Sequence, residues 1–256
     1  MSPTKSFITH LINEIKSLRL YILAAILVIF CSYFLYNQLD VASLIRLGNE
    51  NEFFELATAS CFVAGSFIFF RLFSFQKNIF FMLLGICLFL GAGEELSWGQ
   101  HLLNFNTPKL IEANNVQKEF NIHNLEIFNT DKFDNSRKTG TERLLEINFL
   151  FRLFCLVYGF LLPVLVIYFK PIKKITEKVK LDIPPVAIGS LFIANWLVYK
   201  LTLQLTKKNH PLAYYETSTE MYEFIASFIF LLLGIYFYRK IIPARKKISV
   251  ALDDKM

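Results

Sequence analysis

The stretch Ile79 to His101 reads IFFMLLGICLFLGAGEELSWGQH. Its first half, Ile79 to Leu90, is apolar without interruption, the composition of a helix crossing a hydrocarbon layer rather than of a strand with one wet face. Two adjacent carboxylates, Glu94 and Glu95, follow where such a helix would be leaving the layer. A carboxylate at that depth is costly, and ionisable residues in membrane segments mark a functional site by default.

The rest of the chain agrees with a membrane class. Of 256 residues, 54% are hydrophobic and 28 are Phe, and the mean hydropathy is +0.43, too apolar for a soluble domain with a solvated shell. The net charge of +6 does not indicate a nucleic-acid partner. Lys and Arg fall in short clusters between apolar runs, where they orient membrane helices. Cys31, Cys61, Cys87 and Cys155 lie inside apolar runs, where small buried hydrophobes are expected rather than disulfides.

Outward from the run Ile79 to Trp98, further runs span Leu20 to Tyr36, Glu52 to Phe73, Asn148 to Phe169, Ile183 to Leu203 and Thr219 to Tyr238. Each has about the 17 to 25 residues that a crossing helix needs. The fold expected is therefore all-α, a polytopic transmembrane bundle of about six spans over residues 20–238. Residues 1–19 place Phe7, Ile8, Leu11, Ile12, Ile15 and Leu18 at helical spacing beside Lys5, Lys16 and Arg19, an amphipathic interfacial helix. The first apolar run lacks a small-residue cleavage pattern and reads as an uncleaved anchor. Residues 239–256 form a basic tail.

The basic clusters set the orientation. Lys5, Lys16 and Arg19, then Arg71 and Lys77, then Lys170, Lys173, Lys174, Lys178 and Lys180, then Arg239, Lys240, Arg245, Lys246 and Lys247 put both termini and two loops on the cytoplasmic side of the membrane. The loop 99–147 is then extracytoplasmic, a lid or re-entrant segment. Every ionisable residue near a helix end on that side falls towards the outer leaflet: Glu52, Glu55, Glu94, Glu95, Arg152, Lys200, Glu216, Glu220 and Glu223.

Helical spacing puts Glu216, Glu220, Glu223 and Ser227 on one face of the last span. Asn148, Arg152, Cys155 and Gly159 share a face of the fourth, and Glu52, Glu55 and Ala59 a face of the second. Small and polar faces turn inward in membrane bundles, so these stripes face one another. Arg152 and Lys200 acting only as neutralising ion-pair partners is the alternative. The surplus carboxylates must still be protonated, hydrated or metal-bound.

Roles follow from residue type. Glu94 and Glu95, about 100° apart on a helix, form the acid/base pair, their environments separating their tendencies to ionise. His101 and His123 shuttle protons or bind metal, and His210 lies in the same set of loops. Glu55, Glu220 and Glu223 hold a divalent metal or polarise water. Arg152, Lys200, Trp98 and Gln100 bind substrate. Serine chemistry at Ser97 near His101 is conceivable, but no GxSxG is present.

The segment Gly93-Glu94-Glu95-Leu96-Ser97-Trp98-Gly99-Gln100, with Asn106-Thr107-Pro108 and Phe120-Asn121-Ile122-His123-Asn124, resembles a group of uncharacterised bacterial multi-pass membrane proteins carrying GEE-[IL]-SWGQ and N-[IL]-HN. That resemblance covers the third to fourth spans and implies a site there without implying its chemistry. A looser similarity is to CAAX-protease-like intramembrane proteases, whose EExxxR glutamates Glu94 and Glu95 match. Gly99 stands in place of the arginine, and Phe120 and His123 give FxxH in place of FxxxH.

The function expected is a hydrolase or transferase acting on a lipid-linked or membrane-embedded substrate at the outer face, with membrane lipids as partners. An ion- or proton-coupled transporter is the alternative. It would need a polar path through inner halves such as Phe67 to Phe70 and Phe228 to Gly234, which are almost wholly apolar, and no inverted repeat is visible. A non-catalytic scaffold would consume all the carboxylates in ion pairs.

Overall fold

The computed structural model describes residues 3–49, 52–130, 132–134, 136, 138–206 and 212–253. Among them the secondary structure is helical, with one isolated bridge between Asn115 and Leu125. The helices are α1 (Pro3–Ser17), α2 (Arg19–Gln38), α3 (Val41–Leu47), α4 (Phe53–Gln76), α5 (Ile79–Glu95), α6 (Gln100–Leu103) and α7 (Lys109–Glu112). After the long loop come α8 (Ile147–Phe154), α9 (Leu162–Tyr168), α10 (Lys170–Lys178), α11 (Val186–Thr206) and α12 (Leu212–Asp253).

Among the described residues five segments are long and apolar enough to cross a membrane: α2, α4, Ile147–Tyr168, α11 and Tyr214–Ile242 within α12. α5 makes a sixth when joined to its continuation Ser97–Leu103, from which it is bent by 65°. The chain is thus a polytopic helical membrane protein, and its spans coincide with the expected runs to within a few residues, with one exception. The run expected to continue through Trp98 ends at Glu95. Ser97, Trp98 and Gly99 have φ of 43°, 52° and 80°, and successive left-handed residues cannot prolong a right-handed helix. The turn folds the Trp98 ring over Gly93, where a Cβ would come within 2.9 Å of the indole, and beside Phe89 at 6.3 Å.

α4 packs between α5 and α12. Phe54, Phe69, Phe81, Phe230 and Phe237 are fully buried there, and Ser66 donates to the Gly85 carbonyl at 2.8 Å. α2 and α11 pack on the far side of α12 through polar groups that the sequence reading did not single out. Asn195 donates to the Tyr222 carbonyl at 2.9 Å and accepts from the Tyr33 hydroxyl at 3.4 Å. The Tyr36 hydroxyl donates to the Tyr214 carbonyl at 2.9 Å. Lipid offers no hydrophobic drive for helices to associate, so such bonds and close backbone approach join them.

Two expectations need correction. The fourth span is not a uniform α-helix: Cys155–Leu161 is a π-helix, whose wider turns shift Gly159 from the register assumed for the stripe from Asn148. The four cysteines are not all buried either. Cys155 is, but Cys61 is half-buried and Cys31 and Cys87 are exposed. On a lipid-facing surface the hydrocarbon itself accommodates a weakly polar thiol.

The π-helix meets α11 at a backbone crossing. A Cβ on Gly189 would lie 1.8 Å from the Gly159 carbonyl oxygen, whereas one on Gly234 would make ordinary contacts at 3.4 Å. Gly189→Ala is therefore expected to cost about 1–3 kcal/mol or more through overpacking and to lower the thermal unfolding midpoint in detergent. Gly234→Ala should leave it nearly unchanged. Equal midpoints for the two variants would show that this crossing does not hold the bundle.

Candidate functional site

The break after Glu95 brings the motif side chains against the loop that follows. Glu94 Oε1 accepts from the Trp98 indole at 2.8 Å, and Oε2 accepts the backbone N–H groups of Ile122 and His123 at 2.6 and 2.9 Å. His123 Nδ1 lies 3.5 Å from the same oxygen. Ser97 donates to Glu119 Oε2 at 2.7 Å and accepts from Asn121 at 3.0 Å. Gln100 donates to Thr107 at 2.8 Å and accepts the Phe120 N–H at 2.6 Å. The buried Asn115 caps Gln117 and Glu119 N–H groups and donates to Asn121. Together these bonds clasp residues 115–124 onto the end of α5, and the clasp uses the polar ends of Trp98 and Gln100, two residues expected to bind substrate.

Glu95, one position on, faces another way. Its carboxylate and those of Glu220 and Glu223 on α12 lie with one ligand oxygen each within 4.8 Å of one another. The charge of Glu55 on α4 also acts on Glu95, and His123 and Arg152 act on Glu223. The Arg152 Nε donates to its own helix at the Asn148 carbonyl, 2.7 Å away. Glu95, Glu220 and Glu223 are half-buried.

Two carboxylates at such a distance repel by about 3 kcal/mol at an effective dielectric constant of about 20. Three of them need protons, a cation or Arg152 between them. An all-oxygen donor set suits hard divalent cations, whereas zinc prefers nitrogen and sulfur ligands. On the side away from the loop, Phe69, Leu72, Phe81, Ile229, Leu233 and Phe237 are fully buried and close the bundle.

Of the remaining residues read from the sequence, His101 approaches Glu119 Oε1 at 2.9 Å. Lys200 is exposed with its ammonium 5.5 Å from the centre of the Tyr199 ring. His210 lies outside the described residues. The Ser97 hydroxyl donates to the Glu119 carboxylate, and His101 sits on the other oxygen of that carboxylate instead of on the hydroxyl, so the Ser–His pair considered from the sequence is not formed. Glu119, buried at the centre of the clasp, was not singled out. The signal for it was the asparagine density around it, at 114, 115, 121 and 124, since asparagines that fold a loop on itself supply donors to an enclosed carboxylate.

The two adjacent glutamates should therefore fail differently. Glu94→Ala removes a charged acceptor from two backbone amides, bonds worth about 1.5–3 kcal/mol each. Hydrogen–deuterium exchange in a peptide covering Ile122 and His123 is expected to speed up by about tenfold or more. Glu95→Ala should leave that exchange within about twofold of the native rate. Equal acceleration by both variants would remove the distinction.

Compared with protein-family models, curated proteins and solved structures, the chain matches none.

Proposed function

We propose that the chain is a membrane-embedded hydrolase or transferase acting on a lipid-linked or membrane-embedded substrate, with Glu95, Glu220 and Glu223 at its centre. The observation that carries this reading is the convergence of those three carboxylates from two helices. These three carboxylates would hold a divalent cation, which when bound would supply Lewis-acid activation of a water or hydroxyl nucleophile. One of the carboxylates takes the proton from the nucleophile as it bonds to the substrate and returns it to the leaving group as that bond breaks, and Glu55 adjusts the charge balance. His123 relays protons to the outside, and Arg152 holds the anionic part of the substrate. Glu94 acts as a positioning residue through the clasp, not as half of an acid/base pair.

Several features support placing the site at the outer face of a bacterial inner membrane, with both termini inside and α1 on the interface. They are the distribution of basic residues between the spans and the exposed Ile8, Ile12 and Ile15 of α1. The resemblance of the GEE-to-NIHN segment to bacterial multi-pass proteins points the same way. The fully buried apolar layer behind the carboxylates favours a one-sided reaction chamber over a transport path.

Manganese titration of the purified protein, followed by electron paramagnetic resonance, tests the centre. One site is expected in the native chain, weakened by at least about tenfold in Glu95→Gln, Glu220→Gln or Glu223→Gln and retained in Glu52→Gln. Mass spectrometry of a bacterial lipid extract incubated with native protein should show a product that Glu223→Gln does not make. Failure of manganese, magnesium, calcium and zinc all to bind would remove the cation centre. Identical lipid profiles would remove the enzymatic reading.

A further inference from the structure

At the opposite, basic end of the bundle is a cavity of about 200 Å³, between α1, α9, the segment before α11 and α12. Its two sides differ in chemistry. Val166, Ile167, Pro184 and Pro185 give it an apolar wall, and His10, Glu14 and Lys240 give it a polar rim.

α1 is fixed over this cavity by two contacts. Glu14 Oε2 accepts the Ala187 N–H in the first turn of α11 at 2.9 Å, and Phe7 packs on Tyr168 with ring centroids 5.7 Å apart. The first contact also commits the one carboxylate on the rim. Glu14 answers an amide that the start of α11 leaves without a helical partner, and its other oxygen lies 3.7 Å from His10 Nε2. Lys240 and His10, both exposed, are left as the rim's donors towards the cavity mouth, with the Lys240 ammonium 5.7 Å from the centre of the Tyr236 ring. Asp182 is the further charged group acting near Lys240.

The surroundings are those of a membrane surface. α1 turns Ile8, Ile12 and Ile15 outward, which suits an apolar phase at that level. Lys170, Lys173, Lys174, Lys178 and Lys180 are exposed on the neighbouring α10 and its end. A cavity with an apolar wall, two nitrogen donors and a field of lysines around it has the chemistry of an anionic amphiphile's head and first carbons. We infer that this cavity binds the phosphate headgroup of an anionic phospholipid from the adjoining leaflet, with Lys240 and His10 donating to the phosphate and the acyl chains running along Val166 and Ile167. The site is separate from the carboxylate centre and does not depend on the function proposed for it.

Native mass spectrometry of the full chain in detergent tests the assignment with three probes: phosphatidylglycerol, phosphatidylcholine with the same acyl chains, and glycerol phosphate. Phosphatidylglycerol is expected to bind best. Its affinity should fall by about fivefold in Lys240→Gln, further in the His10→Gln/Lys240→Gln double variant, and by less than about twofold in Lys174→Gln. Lys240→Arg should retain binding, and the exposed positions of both residues should keep the unfolding midpoint of each variant at the native value. Undiminished phosphatidylglycerol binding in the double variant would overturn the assignment. Equal binding of phosphatidylcholine, or an equal loss in Lys174→Gln, would overturn it in favour of general surface attraction. Glycerol phosphate binding as tightly as the lipid would make this a site for a soluble anion instead.

Discussion

The bond between the Glu94 carboxylate and the backbone amides of Ile122 and His123 is the constraint on which the loop-bearing end of the bundle depends. A helix leaving hydrocarbon with two carboxylates at its end must satisfy both. Here they go to different partners because adjacent side chains on a helix point about 100° apart. Glu94 meets a loop that offers N–H groups, and Glu95 meets α12, which offers more carboxylates. The first arrangement is stabilising and ties loop to helix. The second repels where the carboxylates are ionised and uncompensated, and packing of α4 against both α5 and α12 holds the two helices together. A repulsive cluster maintained by surrounding structure is the kind of local conflict that proteins keep at functional sites.

Packing of that strength needs a source in a medium that gives helices no hydrophobic reason to associate. Part of it is geometric: at Gly159 and Gly189 the backbones touch, which no side chain would allow. Part is polar, since Asn195 bridges α2 and α12 through Tyr33 and the Tyr222 carbonyl. Both devices lie beside the last span, so the helix carrying Glu220 and Glu223 is braced on the side away from α4. Movement of α12 would disturb the carboxylates, the tyrosine contacts and the basic-end cavity to which it contributes Tyr236 and Lys240.

The spans were legible because crossing a membrane demands a long uniform apolar run, and that signal is local in the sequence. The stripe from Glu220 to Glu223 was legible for a similar reason, since helical spacing fixes which residues share a face. What periodicity could not give was the division of labour between Glu94 and Glu95. That depends on where a loop with little regular structure returns, and the asparagines that fold it are not periodic. Nor could spacing give the π-helix at Cys155–Leu161, where the hydrogen-bond pattern changes within a run as apolar as its neighbours. Glu119 stayed unread because a loop glutamate looks solvated until the residues that bury it are known.

The charge balance of the centre has a consequence for any reading of it as an enzyme. Glu55, Glu95, Glu220 and Glu223 are opposed by Arg152 and by His123, and His123 also lies beside Glu94. With the carboxylates ionised the chamber is net negative, so an anionic substrate would be repelled from it even with Arg152 in place. A divalent cation bound there would offset two of the four carboxylate charges and supply an electrophile at the same point. Under the proposed function, cation binding therefore comes first and substrate second, and the affinity for an anionic head depends on the cation through their direct attraction across the site.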